Sequence, residues 1–219
     1  MNESVTKLLA QMSLEEKVGQ NICPDIKVDS LTEADVLALK YELSQHPYGG
    51  FILFGEAYRT QEIINQLQTT AKIPLLIAAD IEFGTGHQIT GATLLAANMA
   101  IGATQNVEYA YLQGKYTALE GRAVGINWAF APVVDINNNP HNPIINVRAF
   151  GETKEMVSEM GSAFIRGCQE HGMLATAKHF PGHGDTSQDS HTSLPIITRT
   201  REEFKNFELV PFQSAIDAD

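Results

Sequence analysis

The chain has 219 residues and a formal net charge of −11, with 43% hydrophobic and 19% charged residues. This balance fits one soluble globular domain over residues 1–219, and the acidity without long basic runs argues against nucleic acid as a partner. Neither an apolar run of about 18 residues nor a secretory signal is present, so we expect no contact with a membrane. The chain has only two cysteines, Cys23 and Cys168, which lie far apart in the sequence, so a disulfide scaffold does not organise the fold. These features predict a cytoplasmic protein.

Helical and strand-like segments alternate along the chain. The spacing of apolar residues predicts helices at 4–16, 31–45, 60–71, 106–124, 153–171 and from 201 towards 218, with a second start signal at Ser13. Continuous apolar runs predict strands at 18–23, 49–55, 73–80, 126–134 and 173–180. Strands that are apolar on both faces and separated by helices are typical of a parallel sheet.

Two α/β architectures fit this alternation, a doubly wound sheet and a (β/α)8 barrel. The polar residues Asp80, Asp135, Lys178 and His179 lie at the C-terminal ends of three different predicted strands. Functional groups that converge from several strand ends are typical of a barrel, whereas a doubly wound sheet gathers them at one switch point. We therefore predict a (β/α)8 barrel of the TIM type that is truncated after about five βα units. The open edge of such a barrel would favour self-association.

The most informative stretch covers residues 178–195 and reads KHFPGHGDTSQDSHTSLP. Within it, Asp189 and His191 are two residues apart, so in an extended loop their side chains point to the same side. A carboxylate in that position fixes the tautomer of the imidazole and stabilises its protonated form. The pair therefore has the chemistry of a general acid that protonates a departing oxygen and then acts as a base towards water.

Two other interpretations of the same stretch stay open. One is a loop held together by hydrogen bonds from Asp, Ser and Thr side chains to the backbone, and we interpret His183 and Asp185 in this way. The other is a metal site, because histidine and aspartate side chains are metal ligands. Pro181 and the glycines forbid the helical spacing that zinc sites of the H-x-x-x-H type use, so we expect neither a metal nor another cofactor.

The run KHFPGHGDTSQDSHTSLP resembles the signature of the β-N-acetylglucosaminidase branch of family-three glycoside hydrolases. The blocks MSLEEKVGQ, GGFILF, AADIEFG, INWAFAPVVDI, NPIINVRAFG and VPFQSAIDA follow in the family's order across nearly the whole chain. The resemblance implies a (β/α)8 barrel and a retaining exo-β-N-acetylhexosaminidase. Its expected substrate is a small carbohydrate with a terminal β-GlcNAc, such as a cell-wall fragment released during peptidoglycan recycling.

The resemblance also implies a role for each matching residue. Asp80 could otherwise cap a helix, and Arg148 could pair with Glu152 or with a barrel carboxylate. Lys178 follows an apolar strand and would be costly to bury without an anionic or hydroxyl-rich partner. The implied catalytic residues are His191, which protonates the glycosidic oxygen, and Asp189, its partner, while the implied substrate-binding residues are Asp80, Arg148, Lys178 and His179.

Two departures from the family's pattern remain. Gln88 and Phe83 stand where many relatives have arginine and glycine, beside Asp80. The nucleophilic carboxylate of a retaining enzyme follows a later strand in the family, and we assign neither Asp217 nor Asp219 to that role. We expect the nucleophile beyond the chain end, which leaves the activity of the 219-residue chain open. The alternatives are a catalytically dead sugar-binding module and a β-N-acetylglucosaminide phosphorylase or β-glucosidase-like relative.

Overall fold

A computed structural model describes residues 3–189, 191–192 and 194–218 of the chain. The described helices are α1 (Glu3–Gln11), α2 (Leu14–Gly19), α3 (Glu33–Gln45), α4 (Ala57–Thr70), α5 (Asn98–Ala103), α6 (Val107–Val124), α7 (Lys154–Gln169), α8 (Arg201–Asn206) and α9 (Leu209–Ile216). The described strands are β1 (Asp25–Lys27), β2 (Gly50–Glu56), β3 (Leu76–Ala79), β4 (Ile89–Thr90), β5 (Trp128–Ala129) and β6 (Leu174–Ala175). None of the described helices is both long and apolar enough to span a membrane.

The strands form one parallel sheet in the order β1-β2-β3-β5-β6, and β4 pairs with β2 off this path. A helix crosses over between each pair of successive strands on the path, namely α3, α4, α6 and α7 in turn. This is the repeated βα unit of a barrel. The predicted α/β fold with parallel strands and about five βα units is confirmed.

Strand β3 is buried on both faces. Its consecutive residues Ile77 and Ala78 point to opposite faces of the sheet, and both are fully buried, as expected for a strand with helices on one side and the barrel lining on the other. Helices α6 and α7 pack at very close range, since a Cβ atom added to Gly114 would lie 2.2 Å from the carbonyl oxygen of Phe164. This contact holds the two helices that flank β5 in a fixed relation.

The first strand was predicted in the wrong place. A capping box starts α2: the side chains of Ser13 and Glu16 each accept a hydrogen bond from the other residue's backbone N–H. The helix runs to Gly19, so Val18 is helical. The strand follows at Asp25–Lys27, where polar residues at both ends hid it from a search for continuous apolar runs.

Other boundaries also differ from the predictions. The helix predicted at 4–16 is the pair α1 and α2, and the final helix is the pair α8 and α9. Strands β5 and β6 are much shorter than predicted, although the bridge between Val133 and Lys178 continues their parallel alignment. This continuation brings the residues after both strands to the same edge of the sheet. Helix α5 and strand β4 were not predicted.

Candidate active site

A cavity of about 440 Å³ opens beyond the carboxyl ends of β3 and β6. All the residues proposed from the sequence except Asp189 line it, together with several that were not proposed. The lining residues are Asp80, Glu82, His87, Gln88, Ile144, Arg148, Lys178, His179, His183 and His191.

Lys178 lies between two carboxylates on the floor of this cavity. Its Nζ atom is 2.6 Å from Oδ1 of Asp80 and 2.7 Å from Oε1 of Glu82, and its side chain is 14% exposed. The anionic partner that a buried lysine requires is therefore present twice. Asp80 directly follows β3 and its side chain is 35% exposed, so it faces the cavity while it holds the lysine.

Arg148 ends a short 3₁₀ helix and reaches the same buried carboxylate. Its Nε and Nη2 atoms donate to the two oxygens of Glu82 at 2.9 and 2.8 Å, in a bidentate pair. Burial alone would raise the pKa of Glu82, but hydrogen bonds and positive charge from Arg148 and Lys178 outweigh it and lower that pKa to about 2. Glu82 is the barrel carboxylate that pairs with Arg148, rather than Glu152.

His179 is held from the other side by Asp135, whose side chain is fully buried. Oδ2 of Asp135 lies 2.6 Å from Nδ1 of His179, while Nη2 of Arg148 lies 3.0 Å from Nε2 of His179. An arginine can only donate, so Nε2 accepts and Nδ1 carries the proton that it donates to Asp135. Asp135 also accepts from the backbone N–H groups of His179 and His183 at 3.1 and 2.6 Å.

Of the proposed acid/base pair, His191 lines the cavity and Asp189 holds its imidazole. Nδ1 of His191 is 2.7 Å from Oδ1 of Asp189, and the backbone N–H of His191 donates to the same oxygen at 2.9 Å. These two interactions lower the pKa of Asp189, the backbone one most. The His191 side chain is 75% exposed. The predicted side-by-side arrangement is present, and Ser190 between the two residues lies outside the described residues.

His183 and Asp185 are built into the loop, as the sequence interpretation had it. The side-chain amide of Asn142 donates to the carbonyl oxygens of His183 and Gly184 at 2.8 and 3.0 Å, and Arg199 binds Asp185. His183 also contributes to the cavity wall. Among the described residues, no group of three histidine, cysteine, aspartate or glutamate side chains is arranged to hold a metal ion.

Sequence reasoning missed Glu82 and did not assign a contact to Asp135. Glu82 stands two residues after Asp80 in AADIEFG, and the only available signal was a carboxylate in an otherwise apolar run. Asp135 was noticed at a strand end, but its two backbone partners depend on the path of the chain after β6. His87, whose Nδ1 lies 2.8 Å from the carbonyl oxygen of Asp80, gave no signal.

The chain matches the family described as "Glycosyl hydrolase family 3 N terminal domain" over residues 13–219. A β-hexosaminidase A from Pseudoalteromonas piscicida is 42% identical over 190 residues, which cover 80% of this chain and 32% of that protein. Several solved structures are similar as well. A β-glucoside phosphorylase aligns with a TM-score of 0.91 and 33% identity over 100% of this chain and 40% of its own. A family 3 β-N-acetylglucosaminidase from Paenibacillus sp. strain FPU-7 aligns with a TM-score of 0.87 and 39% identity over 95% of this chain and 40% of its own. The chain spans less than half the length of these relatives.

Proposed function

Because the chain belongs to glycoside hydrolase family 3, as its motifs predicted, we propose that its cavity binds the terminal sugar of a β-glycoside and contributes the acid/base pair of a retaining glycosidase. One observation carries the proposal. A cavity lined by fixed hydrogen-bonding groups faces an imidazole that is itself oriented by a carboxylate. The hydrogen-bonding groups suit a hydroxyl-rich ligand, and the oriented imidazole suits protonation of a leaving oxygen.

Four residues bind the sugar in this proposal. Asp80 accepts hydrogen bonds from hydroxyl groups, because its half-exposed carboxylate has acceptor capacity beyond its contact with Lys178. Arg148 and Lys178 donate to hydroxyl or acetamido oxygens, and His179 contacts a further hydroxyl that replaces Arg148 at its Nε2 atom. Glu82 holds both cations in place and is too deeply buried to meet the ligand itself, since its side chain is 2% exposed.

His191 acts as the acid and then as the base. Asp189 stabilises the imidazolium, and the proton passes from Nε2 to the glycosidic oxygen as the bond to the aglycone breaks. A retaining reaction also needs a carboxylate that attacks the anomeric carbon from the opposite face. Asp80 and Glu82 are both bound to Lys178, so we assign the nucleophile to neither. Asp217 follows α9 and does not line the cavity, and Asp219 lies outside the described residues.

We propose terminal β-GlcNAc of cell-wall fragments as the sugar and the cytoplasm as the location. The names of the similar β-hexosaminidase and β-N-acetylglucosaminidase support the first choice. Both cysteines are free thiols, which fits a reducing compartment and supports the second.

The deciding experiment measures turnover of 4-nitrophenyl β-N-acetylglucosaminide by the 219-residue chain, together with binding of GlcNAc by calorimetry. Turnover that His191→Ala abolishes supports the glycosidase. Binding without turnover, lost in Asp80→Ala, supports the second candidate, a sugar-binding module that lacks the nucleophile. If the chain shows no turnover and no binding, both candidates are contradicted.

A third candidate is phosphorolysis. The acid/base residue is an imidazole, which does not repel phosphate as a carboxylate would, and one similar structure is a β-glucoside phosphorylase. Formation of GlcNAc 1-phosphate only when phosphate is present would identify this reaction. Equal release of 4-nitrophenol with and without phosphate, and no sugar phosphate, would exclude it.

A further inference from the structure

Residues 187–198, the dyad segment, carry Asp189 and His191, and the chain returns from this segment at Arg199. The guanidinium of Arg199 binds Asp185, on the near side of the segment, through Nε and Nη2 at 3.1 and 3.0 Å from Oδ2. Its Nε also lies 3.0 Å from Oε1 of Glu208. One side chain therefore joins both ends of the dyad segment to a third point of the fold.

That third point is buried and packed. Glu208 immediately precedes α9 and is 4% exposed, and the guanidinium of Arg199 stacks over the ring of Phe207 with 4.7 Å between the guanidinium carbon and the ring centroid. Helix α9 packs on α7 and is tied to it by a hydrogen bond from Ser162 to the carbonyl oxygen of Ser214 at 3.0 Å. Arg199 thus links the dyad segment to the outer helices of the barrel.

The chain that leads into the segment is held in place up to Thr186. This residue is 2% exposed, its hydroxyl lies 2.6 Å from Nδ1 of His183, and its carbonyl oxygen accepts from Asn139 at 3.2 Å. Beyond it Leu194 and Ile196 are 83% and 76% exposed, whereas Pro195 and Ile197 are partly buried. Packing therefore covers only part of the segment, and the contacts at its base contribute to the position of the dyad.

We propose that Arg199 is a positioning residue for the Asp189–His191 pair, acting by closing the base of the dyad segment through Asp185 and Glu208. The placement of the segment follows from the contacts alone. Its consequence for acid/base chemistry rests on the proposed function.

Electrostatics explains why this position requires arginine. Asp185 and Glu208 both approach the same guanidinium, so removing it leaves two carboxylates facing each other without a cation, and like charges at short range repel. A lysine restores the charge but not the planar fork that reaches two carboxylates at once. Arg199→Met should therefore open the base, while Arg199→Lys and Asp185→Asn should loosen it by less.

Amide hydrogen exchange on the ligand-free 219-residue chain tests the placement. We expect peptides covering 187–198 to exchange about tenfold faster in Arg199→Met, with intermediate rates in Arg199→Lys and Asp185→Asn. Peptides from β3 and α6 should keep their rates, and so should every peptide of the control Arg122→Met, which removes an exposed arginine on α6. Unchanged exchange of 187–198 in Arg199→Met, or equal acceleration throughout the chain, would overturn the proposal.

Histidine NMR signals provide the functional readout. In the wild type, added GlcNAc should shift the imidazole resonances of both His179 and His191. In Arg199→Met the His179 shift should persist while the His191 shift falls to less than half. Loss of both shifts would indicate general damage and contradict a positioning role. If GlcNAc moves neither signal in the wild type, the proposed sugar site is wrong, and the hydrogen-exchange result still decides the role of Arg199.

Discussion

The two halves of the candidate site are built in opposite ways. The sugar-facing half is a network in which Glu82 and Asp80 balance the charges of Arg148 and Lys178. In the same half, buried Asp135 holds His179. The acid/base half is an exposed pair on an irregular segment, with His191 75% accessible.

This difference matches two physical requirements. Ligand recognition gains from groups that are already oriented and shielded from water, because their reorganisation then costs nothing on binding. An acid/base group must exchange protons with solvent and reach a leaving group of variable shape, so exposure is compatible with its task. The comparison predicts that changes in the first half act on stability and affinity, and changes in the second act on turnover.

The largest effect is expected for His191→Ala on kcat. Removing a general acid costs about 10² to 10⁴ in rate, and the loss should be greatest for glycosides with poorly acidic leaving groups. Stability should stay within about 0.5 kcal/mol because the side chain is exposed. Steady-state kinetics with a series of aryl β-N-acetylglucosaminides and urea denaturation measure both quantities. The matched control is His46→Ala, and an equal rate loss for every leaving group would argue against acid catalysis.

Glu82→Gln should have the next largest effect, this time on stability. The change keeps the shape of the side chain but leaves Arg148 and Lys178 partly uncompensated, and breaking a buried ion pair costs about 3–5 kcal/mol. The exposed pair of Arg59 and Glu62 offers the comparison, since Glu62→Gln should cost less than about 1 kcal/mol. Urea denaturation would refute the buried network as a stabilising unit if the two variants lost similar free energies of unfolding.

Glu82 also makes the free energy of unfolding depend on pH. The pKa of Glu82 falls from an ordinary value of 4.5 to about 2 in the folded chain, so its contribution is complete above about pH 4.5. It is lost as the pH falls through about 2, and it amounts to about 3 kcal/mol. Unfolding free energies measured between pH 2 and 6 should show this loss in the wild type. The comparison with Glu82→Gln isolates it, and parallel curves for the two proteins would contradict the assignment.

Asp80→Asn should weaken binding of GlcNAc with a smaller cost in stability. Hydrogen bonds to a charged group contribute about 1.5–3 kcal/mol, which corresponds to about a 10- to 100-fold increase in Kd. Lys178 keeps Glu82 as a partner in this variant, so the network stays largely intact. Calorimetry with the wild type and with the control Asp25→Asn, which changes an exposed carboxylate on β1, would contradict the role of Asp80 if all three proteins bound GlcNAc equally.

The sequence predicted the main helices, two central strands and the acid/base pair, but it did not predict the buried partners of the sugar-binding residues. The long helices and β2 and β3 follow from strong apolar patterns, and the motif at 178–195 is continuous, so Asp189 and His191 were found together. The partners of Lys178 and His179 are Glu82 and Asp135, which lie 96 and 44 positions earlier in the chain. Such contacts depend on the register of parallel strands and on the bridge between Val133 and Lys178, which a single sequence does not encode locally.

The smallest effect concerns the edges of the sheet. Among the described residues, β1 pairs only with β2 and β6 only with β5. An uncovered strand edge is a template for pairing. We therefore propose that the 219-residue chain self-associates through these edges. Leu174 on β6 is 51% exposed, and a charge there should oppose the contact. Leu174→Lys should therefore shift sedimentation towards the monomer, whereas Leu37→Lys, at a 66% exposed position on α3, should not. A wild-type chain that sediments as a monomer at every concentration would show that these edges do not pair with another copy. It would also show that loss of binding or turnover in the variants arises within one chain.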